Sequence, residues 1–465
     1  MLIDSKTVVE RLREVLDASD VRTEEAVLAE YSRDSAPFCE VGSPSVVVFP
    51  QNVAQVQHVM RVAGELGIGV VPQGARTGLA GAATAVDDGI VLNLQQMDAI
   101  LDVDANNRLI RCQPGATTQA VAAAAAESGL AYPPDPVSFR DCTVGGNIAT
   151  GAGGVCCVKY GVTADYVRGL SVVLADGRLV RVGSDTVKNV AGYNLTQLFV
   201  GAEGTLGVVV EATLALRPVR SDALALLAQF PSASAAGDAV AAIVAAGHTP
   251  SALELMDSTA TQAVAALGHP DLVEAEATCL IVESDAPTQE DDVAEFGRLC
   301  EAAGANHVAV GDDGEAAARL LEARRMVPAA LHDKAVSISP RAVSFIEDVA
   351  VPRTALAELI EEIEEISRRR DTWIATLGHA GDGNLHPIVV FDPDDEAQLQ
   401  RAHAAYDDIM AAGLRLGGTI SGEHGVGTLK KDWLTRQIDP VELALMQEIK
   451  KVFDPQGILN PGKVL

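Results

Sequence analysis

Three of the nine histidines sit in two short glycine-lined stretches. "GHAGDGNLHP", from Gly378 to Pro387, holds His379 and His386 on either side of Asp382-Gly383. "SGEHGVG", from Ser421 to Gly427, holds Glu423 and His424 side by side. An Asp-Gly pair between the apolar runs "WIATLG" and "PIVVF" predicts a hairpin, and a hairpin would bring the two imidazoles close together. Two imidazoles and a carboxylate suit a divalent cation such as Zn²⁺, Mn²⁺ or Fe²⁺, with Glu423 as the candidate third ligand. Three protein ligands leave coordination positions open, as a catalytic ion requires. Neighbours in an extended chain point to opposite sides. Glu423 and His424 therefore reach one site only if the chain bends at Gly422 and Gly425, and then in different roles. The residues alone also admit a plainer arrangement, with His379 on a backbone carbonyl and Glu423 in a surface ion pair.

A site that handles a carboxylate substrate needs a cation. "LLEARRMVPAAL" offers Arg324 and Arg325 in a helical run, and a guanidinium grips a carboxylate in two places at once. Lys430, just after the second glycine-lined stretch, is a reserve candidate. Two solvated arginines on an acidic protein are the plain alternative.

Glycine also gathers in two other loops. "PQGARTGLAGA", Pro72 to Ala82, follows a strand pattern and carries Gly74, Gly78 and Gly81. Consecutive backbone N–H groups in such a loop form an anion nest, and a pyrophosphate is its natural guest; a simple surface turn has the same look. "VGGNIATGAGGVCCVKYG", Val144 to Gly161, is nearly bare of large side chains at its glycines. It leaves room for a flat group against the backbone, or it is a tightly packed helix start. Dinucleotide-binding G-x-G-x-x-G breaks at Cys156, and the P-loop resemblance of "GILNPGKV" ends in Val464 with no helix after it.

The elements that must carry these loops fall into two regions. From Ser45 to about Val219, short β-rich runs alternate with turns, with one helical run in "VAQVQHVMRVAGEL". "LSVVLADGRLVRV" reads as two strands around Asp176-Gly177. Beyond a boundary near Arg220, strand-like "ALALLAQF", "SALELMD", "ATCLIVES" and "NHVAVG" alternate with alanine-rich helices, as expected of helices covering one face of an antiparallel sheet. "RTALAELIEEIEEISRRR" places acids early and bases late, as the helix dipole favours.

The chain has 465 residues, enough for two to three domains. Its net charge of −29 repels phosphate backbones, so nucleic acid is not an expected partner. None of the seven cysteines forms a Cys-x-x-Cys pair, which argues against zinc ribbons and cysteine-held iron–sulfur clusters and suits a reducing cytoplasm. No apolar run approaches the roughly 18 residues of a membrane span. "MLIDSKTVVERLREVL" reads as an amphipathic helix with both charge signs, and no signal peptide is expected.

Six stretches, "PQGARTGLAGA", "DPVSFRDCTVGGNIATGAGG", "KNVAGYNLTQLFVGAEGTLG", "GHAGDGNLHP", "GTISGEHGVG" and "FDPQGILNPGK", occur in the order found in FAD-linked 2-hydroxyacid dehydrogenases. The chain resembles this family over nearly its whole length. The family includes glycolate oxidase FAD-binding subunits, FAD-linked D-lactate dehydrogenases and D-2-hydroxyglutarate dehydrogenases, within the vanillyl-alcohol oxidase flavoprotein superfamily. The resemblance implies an α+β fold. A two-part FAD-binding domain with an N-terminal helix spans 1–219. A cap domain with an antiparallel sheet covered by helices spans 220–465, and its C-terminal segment returns to the flavin.

The same resemblance assigns residues. Gly74, Ala75, Arg76, Thr77, Gly78 and Leu79 would hold the pyrophosphate. Pro136, Thr143, Gly145, Gly146, Thr150, Gly153 and Gly154 would line the flavin. Glu203, Gly207 and Val208 would reach the adenine end, and Asn460 the isoalloxazine. His379, His386 and Glu423 would bind the metal, His424 would be the general base, and Arg324 would hold the substrate carboxylate. Three positions depart from the family pattern. Arg76 replaces a common glycine, Ala80 replaces a common serine that can touch phosphate, and Leu321 stands where a tryptophan is usual. The FAD loops lack histidine, so non-covalent FAD is expected. The implied reaction oxidises a small 2-hydroxy acid such as D-lactate or glycolate to the 2-oxo acid, with hydride passing to flavin N5. Electrons would leave to a separate quinone, cytochrome or iron–sulfur partner, or to oxygen. A homodimer and a peripheral place at the inner face of the membrane are both compatible. Two other readings stay open at this level. One is a flavin-binding electron-transfer subunit without its own substrate oxidation. The other is a metal-binding protein with no redox role.

Overall fold

In the computed structural model the described residues are 5–219, 222–311 and 313–465. Arg220, where the boundary is expected, and the first four residues of the expected N-terminal helix lie outside them; the helix is described from Ser5 to Leu12. The chain divides into two compact units. One comprises 1–153, 161–219 and 423–465, and the other 154–160 and 220–422.

The first unit holds two larger sheets and a two-stranded one, in which Arg217–Pro218 pairs antiparallel with Leu130–Ala131. In the first, Val46–Val48 and Val70–Gln73 flank Ile90–Asn93 in parallel, with Val21–Arg22 added antiparallel at the edge. All three parallel strands are deeply buried and, apart from Gln73 and Asn93 at two of their ends, apolar, as expected of parallel strands covered on both faces. The expected helix forms over Val53–Leu66. Asn52 accepts the amide of Gln55 at its start, and Gly67 ends it with a left-handed φ of 66°. The second sheet is antiparallel, in the order Ile100–Asp104, Leu109–Cys112, Val208–Ala215, Val167–Val173 and Leu179–Gly183. The last two strands are the hairpin expected around Asp176-Gly177.

The second unit is built on an eight-stranded antiparallel sheet. Its centre runs Leu224–Phe230, Thr278–Ser284, Ala252–Met256, Trp373–His379 and Asn384–Phe391. The expectation of helices on one face is corrected here. These strands are buried along almost every residue, not at alternate ones. Leu227, Ile281, Leu377 and Ile388 of one face pack with helices Ser258–Ala265, Gly314–Arg325 and Val327–Ile338. Helices Ala233–Ala245, Gln289–Ala302, Leu356–Arg370 and Glu396–Arg415 form a second layer, packed on one another and on the same sheet. The central strands are mostly apolar, so the sequence does not reveal which faces are covered, and their described residues are almost all buried.

Asp257 ties one helix to this sheet. One carboxylate oxygen accepts the amide of Ala260 at 2.7 Å, capping Ser258–Ala265, and the other accepts that of Thr376 at 2.8 Å. Asp257→Ala removes a cap and strands a buried amide. A loss of roughly 2–4 kcal/mol is expected, read as a lower urea midpoint at unchanged slope. Among the described residues no helix is long and apolar enough to cross a membrane.

Candidate active site

In the second unit the two histidines arrive by strand register. Gly383 closes the turn between Trp373–His379 and Asn384–Phe391 with φ 76°, which only glycine adopts without strain. His386 pairs with Leu377, two residues from His379, so both imidazoles stand on one face of the sheet. Their ring centroids are 5.2 Å apart at an interplanar angle of 82°. Both are buried.

Glu254, on the neighbouring strand opposite His379, is buried with them. Its Oε1 lies 2.6 Å from His379 Nδ1, and Arg324 Nε donates to its Oε2 at 3.1 Å. Burial pushes the Glu254 carboxyl up, but His379 and Arg324 outweigh it and hold it below the ordinary carboxylate range. His386 Nδ1 lies 3.2 Å from the carbonyl oxygen of Glu347 and 3.9 Å from Asp348 Oδ1. Asp348 also accepts from Ser421 Oγ at 2.7 Å and from the Gly422 amide at 2.8 Å, which anchors the chain just before Glu423. An oxygen acceptor at each Nδ1 marks it as the protonated nitrogen. In the neutral rings that leaves Nε2 as the ligating atom, the arrangement that orients histidines at metal centres. Two oriented imidazoles on one face of the sheet therefore offer nitrogen donors of the kind a divalent ion takes.

Arg324 is thus engaged with Glu254 through Nε, in a pair that is almost wholly buried. Arg325 faces solvent beside Glu322. The sequence reading missed Glu254, Glu347 and Asp348. Their signal was present: a lone acid in the apolar strand "ALELM", and an acidic pair inside "SFIEDVAV", each where burial demands a partner.

In the first unit, Gly74 follows strand Val70–Gln73, and a Cβ there would collide with Thr143 Oγ1. Asn93 Nδ2 donates to the Gly74 carbonyl at 3.0 Å. Arg76, in place of a glycine, nonetheless has a left-handed φ of 62°. Its guanidinium lies 4.0 Å above the Tyr31 ring and beside Glu30, contacts that offset the strain. Ala75, Thr77, Gly78 and Leu79 complete that loop, with Ser35 N donating to the Gly78 carbonyl at 3.0 Å. Ala80 is buried, and its carbonyl accepts the amides of Thr428 and Leu429, each at 3.1 Å.

The second glycine loop opens as a helix, Val144–Thr150, with Thr143 Oγ1 accepting the Gly146 amide at 3.3 Å. Gly145 packs against Pro114, and Thr150 Oγ1 donates to the Gly146 carbonyl at 3.2 Å. Pro136 turns the chain before it, its carbonyl accepting Phe139 N at 2.8 Å. Gly153 lies against the Glu423 carboxylate. From Gly154 to Tyr160 the chain belongs to the second unit, where Lys159 and Tyr160 meet Asp285.

Gly207 fits closely against Val172, and Val208 is buried in an apolar core, so its backbone is what it can offer a ligand. Glu203 is buried, and burial pushes its carboxyl up to about 7 against the pull of the Val426 and Gly427 amides. Asn460 Nδ2 donates to the carbonyls of Ala82 and Glu203 at 3.0 and 2.6 Å. Asn460 Oδ1 and Gln73 Oε1 are buried without a hydrogen-bond partner. Each such atom costs roughly 1–3 kcal/mol, a cost that a bound group carrying N–H or O–H donors removes. A glycine cradle and two waiting acceptors fit a dinucleotide-sized cofactor such as FAD. Lys430 is buried in this unit, and its charge acts on Glu203.

Comparison with known proteins matches both halves of the chain, with 423–464, part of the first unit, falling in the span of the second family. Residues 44–183 match the family described as "FAD binding domain", and 220–464 match "FAD linked oxidases, C-terminal domain". The chain is 37% identical over 465 residues to the glycolate oxidase subunit GlcD of Bacillus subtilis, covering 99% of this chain and 97% of that one. It is 36% identical over 423 residues to a D-lactate dehydrogenase of Archaeoglobus fulgidus, covering 90% and 91%. Among solved structures, 4-ethylphenol oxidase from Gulosibacter chungangensis matches with a TM-score of 0.79 at 19% identity, over 99% of this chain and 96% of that one, a likeness of fold. With both halves matched and relatives of this identity along the whole chain, the protein belongs to the FAD-linked oxidoreductases of the vanillyl-alcohol oxidase type.

Proposed function

We propose that this enzyme oxidises a small 2-hydroxy acid, such as D-lactate or glycolate, to the corresponding 2-oxo acid. The observation that carries the reading is the buried pair His379 and His386, each held through Nδ1 by an oxygen acceptor. The names of the relatives, glycolate oxidase subunit and D-lactate dehydrogenase, support the substrate class.

FAD, held non-covalently, supplies the two-electron oxidant. The loop Gly74–Leu79 cradles its pyrophosphate, and Thr143, Gly145, Gly146, Thr150 and Gly153 offer backbone to its rings. A divalent ion on His379, His386 and Glu423 supplies Lewis-acid polarisation of a hydroxyl group. His424 takes the hydroxyl proton onto its imidazole, whose ordinary titration range suits a base near neutral pH. Arg324, oriented through Nε by Glu254, turns its remaining N–H groups to the substrate carboxylate. Glu254 holds that arginine and His379 with its two oxygens, so one carboxylate aligns the clamp and a metal ligand. A separate quinone, cytochrome or iron–sulfur partner reoxidises the enzyme.

The test is anaerobic flavin bleaching with a panel of D- and L-2-hydroxy acids, before and after chelation. Bleaching by one enantiomeric series, lost on chelation and restored by Mn²⁺ or Zn²⁺, is the expected result. Bleaching that survives complete metal removal would remove the ion from the reading. No bleaching by any acid would favour an electron-transfer subunit instead.

The cofactor loop has its own test. Gly78 has Asp34 Oδ2 3.6 Å from where its Cβ would stand. Gly78→Asp sets a second carboxylate beside the first, facing the pyrophosphate. FAD per protein, measured after acid release, is expected to fall at least several-fold; an unchanged ratio would move the phosphate cradle elsewhere.

A further inference from the structure

We propose that Glu203 is a positioning residue for the base: its carboxylate fills an anion nest in the loop Gly425–Gly427 and thereby aims His424. This rests on the reading of His424 as the base. It also gives the Glu203 side chain a task other than reaching the adenine.

The loop after His424 has the backbone of a nest. Gly425 and Gly427 have φ of 87° and 52°, on either side of Val426. Such a sequence turns successive amides to one side, where they concentrate positive potential on an anion. The anion here is internal. Val426 N donates to Glu203 Oε1 at 2.7 Å, and Gly427 N donates to Oε2 at 2.8 Å. The carboxylate also lies under Gly425, where a Cβ would stand 2.8 Å from Oε1. Hydrogen-bonded on both oxygens by backbone amides and shielded from water, the side chain is held firmly in the nest.

Glu203 is itself immobile. Its backbone is left-handed, with φ 49°, a conformation that costs a non-glycine residue about 1 kcal/mol or more and persists only where the surroundings enforce it. They do so at both ends. The Glu203 amide donates to the Ala149 carbonyl at 2.8 Å, in the last turn of the glycine-rich helix. Its carbonyl accepts from Asn460 at 2.6 Å. The far side of the loop is fixed as well, by Thr428 and Leu429 amides on the Ala80 carbonyl and by Val464 N on the Gly427 carbonyl at 2.8 Å. The flavin-lining helix and the C-terminal segment thus hold the backbone of the one residue whose side chain holds the base loop. A base that must meet a hydroxyl proton tolerates little displacement, since an error of about 1 Å costs on the order of 10²-fold in rate.

The experiment compares reductive half-reaction rates per bound flavin for wild type, Glu203→Gln, Glu203→Ala and Gly425→Ala, with His424→Ala in parallel. Glutamine keeps the shape but replaces one acceptor by an N–H₂ group facing an amide. Alanine empties the nest. Gly425→Ala disturbs the same contact from the loop side. All three are expected to retain FAD, to keep the KM for the hydroxy acid within about threefold, and to slow the rate by roughly 10–100-fold. Added formate, small enough for the emptied nest, is expected to restore part of the rate of Glu203→Ala and none of that of His424→Ala. Wild-type rates in the Glu203 variants, with His424→Ala impaired, would overturn this inference and leave the base in place. Wild-type rates in His424→Ala would overturn the base, and this inference with it. Glu203 variants that lose FAD or fail to fold while Gly425→Ala reacts at the wild-type rate would make Glu203 a cofactor or folding residue and overturn the proposal.

Discussion

His424→Ala is expected to keep both flavin and divalent ion and still slow the reductive half-reaction by roughly 10²–10⁴-fold, the usual worth of a positioned general base. Its neighbours should behave differently. His379→Ala, His386→Ala and Glu423→Gln are expected to lose metal and activity together, with partial recovery in excess Mn²⁺ or Zn²⁺. The contrast follows from what holds each group. His379 and His386 are buried, on one sheet face, with Nδ1 held by Glu254 and by the Glu347 carbonyl, which on the proposed reading turns Nε2 to the ion. The residues Glu423 and His424 lie next to each other, after an anchor on Asp348 and before the Glu203 nest. Metal analysis of the four variants, together with stopped-flow reduction, separates the roles. Metal lost in His424→Ala and kept in Glu423→Gln would exchange the two. Full activity of metal-free wild type would leave an acid–base cluster without an ion.

Arg324→Ala is expected to raise the KM for every hydroxy acid, a loss on the order of 2–5 kcal/mol in kcat/KM if the substrate carboxylate is its partner. A second effect should accompany it. Arg324 shares Glu254 with His379, so its removal leaves a buried carboxylate with one partner fewer and loosens the histidine it orients. Metal affinity is therefore expected to fall as well, by roughly 10–100-fold, the usual cost of disturbing the groups behind a metal ligand. Arg325→Ala removes only an exposed contact with Glu322 and should change either quantity by less than about 0.5 kcal/mol. Titrating apo-protein with Mn²⁺ in both variants, beside steady-state kinetics, tests the pair. A KM effect without a metal effect would confine Arg324 to the substrate; the reverse would confine it to Glu254.

Local chemistry was legible before any fold was known. Asp382-Gly383 between two apolar runs specified the hairpin, because only a turn with a left-handed residue lets such strands pair. Once that hairpin is granted, period-two alternation puts His379 and His386 on the same face. The helix Val53–Leu66 was readable from its spacing, with the asparagine before it and the glycine after it. The order of the six glycine-rich and histidine-bearing stretches carried the family, which the matches over both halves of the chain bear out.

What the sequence determined on its own was therefore the set of residue types, their local turns and the family they belong to. Tertiary structure decided their partners. Glu254 reaches His379 across neighbouring strands 125 residues apart in sequence, and Arg324 reaches Glu254 from a helix 70 residues on. Glu203 meets Val426 across 223 residues. No local rule relates such positions, because burial of a charge fixes only that a partner must exist. Which partner it finds depends on strand order and register, and those are set by the packing of the whole sheet. The second face of the eight-stranded sheet escaped the sequence for the same reason. A strand buried on both sides is apolar throughout, and uniform composition carries no record of which neighbour covers which side.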